Sequence, residues 1–291
     1  MKKIGFCFLL VCFTFARTWA QSYQLFSPDK SILVTLAITD QITYSVELDG
    51  KQMIDHSTID FRTSVSAKSS KWKIAKGKKS NHNKPIIPVF PIKTDTIQNQ
   101  YTQISLEFTN DIVLEFRIFN NGVAWRWLAN HKGEYTILNE SIQFKFTPDT
   151  RTLFPSENNV LYSHHERIYL DTTIAGLGNS QQACLPTLFC KKNANIVITE
   201  SNLINYPGFY LETNENGTIN GLLPRYPKSC KIVSDRDEKV EEYESFIAKC
   251  TGKEDFPWRV IVIEREDKKL LDNQLVFQLA DDPTGDFSWV K

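Results

Sequence analysis

Strict alternation of apolar and polar residues runs through most of this chain and constrains its fold more than any other feature. Ile32, Val34, Leu36 and Ile38 fall on one side of an extended segment, and Ile42, Tyr44, Val46 and Leu48 repeat the pattern. Successive strand side chains point to opposite faces, so these runs predict half-buried strands. Asp49-Gly50 supplies a tight turn into a strand over 51–54. The pattern returns as Ile104, Leu106, Phe108 and as Ile112, Leu114, Phe116, Ile118. Asn120-Asn121-Gly122 then leads into Val123, Trp125 and Trp127, a strong hairpin signal. Further strands are expected over 142–146, 195–199, 209–212, 246–250, 258–264 and 275–279. Helical spacing is confined to 267–272. Many short strands with almost no helix imply stacked antiparallel sheets, an all-β fold.

Two segments break the pattern. Residues 69–84 are rich in Lys, Ser and Asn and predict a solvated loop. Pro85, Pro88 and Pro91 follow; each removes a ladder donor, so 85–91 should run at an edge or outside the sheet.

At the N-terminus, Lys2 and Lys3 precede an apolar run over 4–16, and a short polar stretch ends in Ala20. This pattern predicts a cleaved signal peptide, 1–20, and an exported product, periplasmic or secreted. The run is too short for a membrane anchor. The remaining 21–291 is long enough for one large β domain. Basic and acidic residues balance at 34 each, which argues against a nucleic-acid surface and suits a neutral partner such as a sugar. Of six cysteines, Cys184, Cys190, Cys230 and Cys250 remain after cleavage. No zinc-site spacing links them; buried free thiols and a Cys230–Cys250 bridge both stay open.

Chemistry-bearing motifs are sparse: no phosphate loop, GxGxxG, GxSxG or HExxH occurs. One polar cluster stands out, Ser163-His164-His165-Glu166. In an extended segment His164 and Glu166 would share a face and His165 would point away, so these neighbours cannot chelate a metal together. A His/Glu acid–base pair of the epimerase type and a plain hydrogen-bonded rim are both open readings. Glu166 is also a candidate oxygen donor to a calcium site assembled from several segments. Trp125 and Trp127 share a face, as sugar platforms or, more commonly in a sandwich, as core.

Several segments together resemble glycoside hydrolase family 97, exported α-glucosidases and α-galactosidases. They are Ser27-Pro28-Asp29-Lys30; Phe116-Arg117-Ile118-Phe119-Asn120-Asn121-Gly122-Val123-Ala124-Trp125-Arg126-Trp127; Ile198-Thr199-Glu200-Ser201-Asn202-Leu203; Tyr206-Pro207-Gly208-Phe209-Tyr210-Leu211; Pro257-Trp258-Arg259-Val260-Ile261-Val262-Ile263; and Phe287-Ser288-Trp289-Val290-Lys291. The resemblance implies an N-terminal β-super-sandwich of the galactose-mutarotase type over 21–291, normally followed by a catalytic TIM barrel. It implies that the catalytic carboxylates belong to the barrel, so this chain alone carries no catalytic residues. The implied partners are an α-linked oligosaccharide and a barrel in cis or in trans. The implied metal is calcium, with Glu166 as the sandwich's ligand and Glu157 as the second choice. Two other classes remain: a stand-alone carbohydrate-binding protein, which needs an exposed platform such as Trp72, Trp125 or Trp127, and a mutarotase-like epimerase using His164 or His165.

Overall fold

A computed structural model describes residues 21–66, 72–90, 93–214, 217–282, 284–287 and 289. The leader 1–20 lies outside the described residues. The architecture is organised by one 23-residue strand, Gly122–Phe144. It pairs antiparallel with five others: Ile112–Phe119, Trp258–Glu264, Ala248–Asp255, Lys51–Thr63 and Ile219–Leu222. From this hub, Lys51–Thr63 extends through Ile42–Leu48 and Ile32–Ile38 to Gln21–Phe26. Ile112–Phe119 extends through Gln100–Phe108 to Ile74–Asn83. Trp258–Glu264 extends through Ala194–Ser201, Thr187–Lys191 and Arg151–Phe154 to Leu170–Thr173. Ile219–Leu222 extends through Tyr210–Thr213 and Gln182–Ala183 to Ser156–Glu157.

The alternation explains how these sheets stack. Along Ile32–Ile38 every second residue is buried, and the inward faces meet ring to ring. Tyr44 lies 5.0 Å from Trp125 and 6.0 Å from Phe116, on strands that do not pair with its own. Phe61 stacks on Trp127 at 5.4 Å and Phe146 on Phe189 at 4.3 Å. Antiparallel sheets packed through such faces form the expected all-β sandwich.

Two turns work as expected. Asp49 and Gly50 both take positive φ, 50° and 71°, as a two-residue hairpin with inverted turn geometry requires. At the second, Phe119 faces Gly122 across the loop. A Cβ on Gly122 would lie 2.4 Å from the Ile261 carbonyl oxygen, so only glycine lets the hub approach its neighbour there.

Three expectations need correction. Residues 74–83 are a strand, Ile74–Asn83, not part of a loop; almost all its side chains are exposed, so no apolar alternation marks it, and the ladder to Gln100–Phe108 holds it. Leu275–Leu279 is a helix, not a strand. Leu275, Phe277 and Leu279 satisfy period two, but Leu275 and Leu279 are buried and Phe277 is 42% exposed. That is the i, i+4 face of a helix turn, laid on Tyr101, Phe119 and Trp258 of the sheet's outer surface. Finally, no Cys230–Cys250 bridge forms; all four described cysteines are free, Cys230 being exposed and Cys250 buried.

Candidate functional site

The polar cluster picked out from sequence lies on a loop leaving Ser156–Glu157. Asn159 opens it by accepting a hydrogen bond from the Leu161 amide, which starts a short turn over Val160–Tyr162. Beyond the turn His164, His165, Glu166 and Arg167 are exposed, and His165 takes a left-handed φ of 58°. The segment is therefore not extended through His165, and the shared face that extension would give His164 and Glu166 does not hold. Arg167 anchors the loop by donating from Nε to the buried Glu157 Oε2 at 3.0 Å. The His165 ring rests 5.7 Å from Tyr210. Neither histidine ring makes a hydrogen bond or ion pair with a carboxylate among the described residues, although His165 lies near enough to Glu157 to favour its charged form.

Two carboxylates here differ in character. Glu157 is held below the ordinary glutamate range by the Ser163 hydroxyl and by Arg167, yet its Oε1 is buried without a hydrogen-bond partner. Glu166 is exposed and makes no hydrogen bond or ion pair among the described residues. No group of three or more metal-ligating side chains exists among them either. Calcium requires six to eight oxygens, so Glu166, or Glu157 through Oε1, fits as a contributor to a shared site and not as a whole one.

Beside this loop lies a network that the sequence reading missed. Arg259 is fully buried in Trp258–Glu264, where its neighbours are apolar. It donates from Nε and Nη2 to both Glu140 oxygens, at 2.9 and 2.7 Å, and from Nη1 to Glu200 at 2.7 Å. The Tyr206 hydroxyl donates to Glu140 at 3.0 Å, and the Phe209 ring lies 4.9 Å from the guanidinium. Burial pulls the Arg259 pKa down, but the Glu140 carboxylate more than offsets this and holds it above its ordinary value. Burial raises the Glu200 carboxyl, against the pull of Arg259. One arginine set within the apolar run Trp258–Ile263 was the signal available. The network fixes the segment around Tyr206, and Leu203 and Ile204 stand exposed beside it at 47% and 57%. Tyr206 and Leu161 line one cleft, so this segment meets the start of the loop at 160–170, whose Ile168 is 94% exposed.

The tryptophans are not platforms. Trp125 and Trp127 are buried, and Trp72 stacks on Trp127 at 5.3 Å while donating Nε1 to Asp60.

Fold and site together define a large β-sandwich domain that offers an unpaired carboxylate and exposed apolar residues on one loop. The family description Glycosyl-hydrolase 97 N-terminal matches residues 25–282, and the chain belongs to that family. A retaining alpha-galactosidase of Bacteroides thetaiotaomicron is 27% identical over 304 residues, covering 100% of this chain and 46% of its own length. The chain thus spans about half the length of that curated relative. A glycoside hydrolase family 97 enzyme from Pseudoalteromonas sp. strain K8, solved in complex with acarbose, superposes with a TM-score of 0.75. It is 20% identical, over 92% of this chain and 40% of that one. A beta-arabinopyranosidase structure gives a TM-score of 0.67 at 17% identity, over 84% of this chain and 40% of its own. Both structures establish the fold.

Proposed function

We propose that this chain is the exported carbohydrate-associated half of a family 97 glycoside hydrolase, packing on a catalytic barrel and shaping its pocket for an α-linked oligosaccharide. It is not catalytic by itself. Glycoside hydrolysis needs an acid and a second carboxylate set across the scissile bond, and Glu157 and Glu166 do not form such a pair: one is anchored beneath Arg167 and the other is free in solvent. In this reading Glu166 lends an oxygen to a calcium ion whose remaining ligands come from the barrel, with Glu157 as the alternative donor. Calcium there would supply positive charge beside the sugar; this chain's part is to present the carboxylate on a loop fixed by the Arg167–Glu157 bond. The observation that carries the reading is the conjunction of a partnerless carboxylate with an exposed apolar rim, which suits a surface completed by another domain.

Two assays test it. The purified chain should not hydrolyse p-nitrophenyl α-glucoside or α-galactoside, with or without calcium; turnover would overturn the proposal. A chimera in which residues 21–282 replace the matching part of the Bacteroides α-galactosidase should be active, and Glu166→Gln should raise its half-maximal calcium concentration at least tenfold. A chimera indifferent to that change removes the metal role from Glu166.

A further inference from the structure

A second concave site, sharing no residue with the loop at 157–169, lies between the Ile74–Asn83 and Gln100–Phe108 strands and the C-terminal helix. It encloses about 550 Å³, and Arg117 lies in its wall. The Arg117 guanidinium sits between two rings, 4.7 Å from Tyr101 and 4.4 Å from Trp258. Its Nε donates to Gln103 at 2.9 Å. Its two Nη groups have no hydrogen-bond partner among the described residues. Arg126, on the same Trp258 ring, is by contrast bonded to Glu115 and Asp255. A guanidinium immobilised by stacking, with its forked edge open, is a recognition group prepared in advance.

The rest of the wall narrows the ligand. His82 stacks on Tyr101 at 4.6 Å. Asn99 and Gln278 line the same cleft, but their Oδ1 and Oε1 atoms are buried behind its surface without donors. Across from Arg117 stand Asp281, fixed by Asn202 at 2.8 Å, and Asp282. These carboxylates repel a bound anion, and Arg117 with Lys84 repels a cation. The Arg117 donors set against the exposed Asp281 and Asp282 carboxylates suit neutral hydroxyls, which both donate and accept, and two adjacent hydroxyls match the spacing of the guanidinium fork. Ile87, 81% exposed at the rim, offers an apolar surface to a ring's C–H face.

We propose that this cleft binds a neutral oligosaccharide through a vicinal diol on Arg117, as a non-catalytic sugar site separate from the Glu166 loop. The proposal rests on the carbohydrate-associated reading above, but its test is independent of calcium and of turnover. Maltoheptaose and trigalacturonate would be titrated into the purified chain by calorimetry, alongside Arg117→Gln, Asp281→Ala and Glu166→Gln variants whose folding is checked by melting. Maltoheptaose should bind saturably, at least tenfold more weakly to Arg117→Gln, at least threefold more weakly to Asp281→Ala and equally to Glu166→Gln. Absence of binding, binding unchanged in folded Arg117→Gln, or a preference for trigalacturonate overturns the proposal. Should Arg117→Gln fail to fold, Asp281→Ala decides it, unchanged affinity being the refuting result. An inactive chimera with intact maltoheptaose binding would sink the barrel reading and leave this site standing.

Discussion

Removing the Glu140 carboxylate should destabilise the domain far more than removing the Glu200 carboxylate, although both bind the same arginine. Arg259 is wholly buried, and Glu140 meets it through both oxygens with 1% of its side chain exposed, whereas Glu200 uses one oxygen and is 15% exposed. Glu140→Ala leaves a buried guanidinium without its main counter-charge and strips the Tyr206 hydroxyl of its acceptor. Breaking a buried pair in this way costs about 3–5 kcal/mol. At roughly 2–4 °C per kcal/mol for a domain of this size, the melting temperature should fall by about 6–20 °C. Glu200→Ala leaves the bidentate pair intact, and one charge-assisted hydrogen bond is worth roughly 1.5–3 kcal/mol. Replacing both members by apolar residues, Glu140→Leu with Arg259→Met, should recover most of the loss, because neither charge is then left to desolvate. Scanning calorimetry on the four proteins gives the comparison. A loss for Glu140→Ala no greater than for Glu200→Ala would refute the argument that burial and bidentate geometry set the cost.

Because Glu157 titrates below its ordinary range, its contribution to stability is fully present above that range and is lost as pH falls through the lowered value. Ser163→Ala should therefore shift the acid limb of the melting profile to higher pH, and a limb superimposable on the wild type would dismiss the Ser163 contact. Gly122→Ala places a methyl group 2.4 Å from the Ile261 oxygen and 2.5 Å from Leu275 Cδ2. It should cost about 1–3 kcal/mol in urea unfolding, and a neutral result would mean that the hub and its neighbour separate easily.

Most longer strands were legible because burial writes an apolar pattern into the sequence, whereas Arg151–Phe154 and Thr187–Lys191 bury alternate residues but are too short to show a period. The run Trp258–Glu264, buried on both faces, coincides with its expected limits as a nearly continuous apolar stretch. Legibility failed where burial does not supply the pattern. Ile74–Asn83 and the hairpin of Pro227–Ile232 with Glu238–Tyr243 are mostly exposed and held by backbone pairing, which any polar sequence can make. Leu275–Leu279 was ambiguous because five residues satisfy both periods. At the site, Glu157 and Glu166 were visible as carboxylates beside a turn, but their opposite environments depend on Arg167 folding back and on the left-handed His165. The Arg259 network joins positions 119 and 59 residues apart, and no local pattern announces such a meeting. Similarity to family 97 supplied what periodicity could not, the order of the segments as one domain.

The hub strand also sets when this chain can become a protein. Gly122–Phe144 takes partners from residue 51 through residue 264, so its ladder cannot close until synthesis has passed Glu264. Before then, the stretch from Gly122 to Ala129, which carries Val123, Trp125, Trp127 and Leu128, is a bare edge on one side, of the kind that pairs with whatever strand it meets first. Folding through such distant pairings is slow. A chain ending before Trp258 would leave that edge open for good, so fragments made to dissect the domain should aggregate, while cuts beyond Leu279 should spare its core.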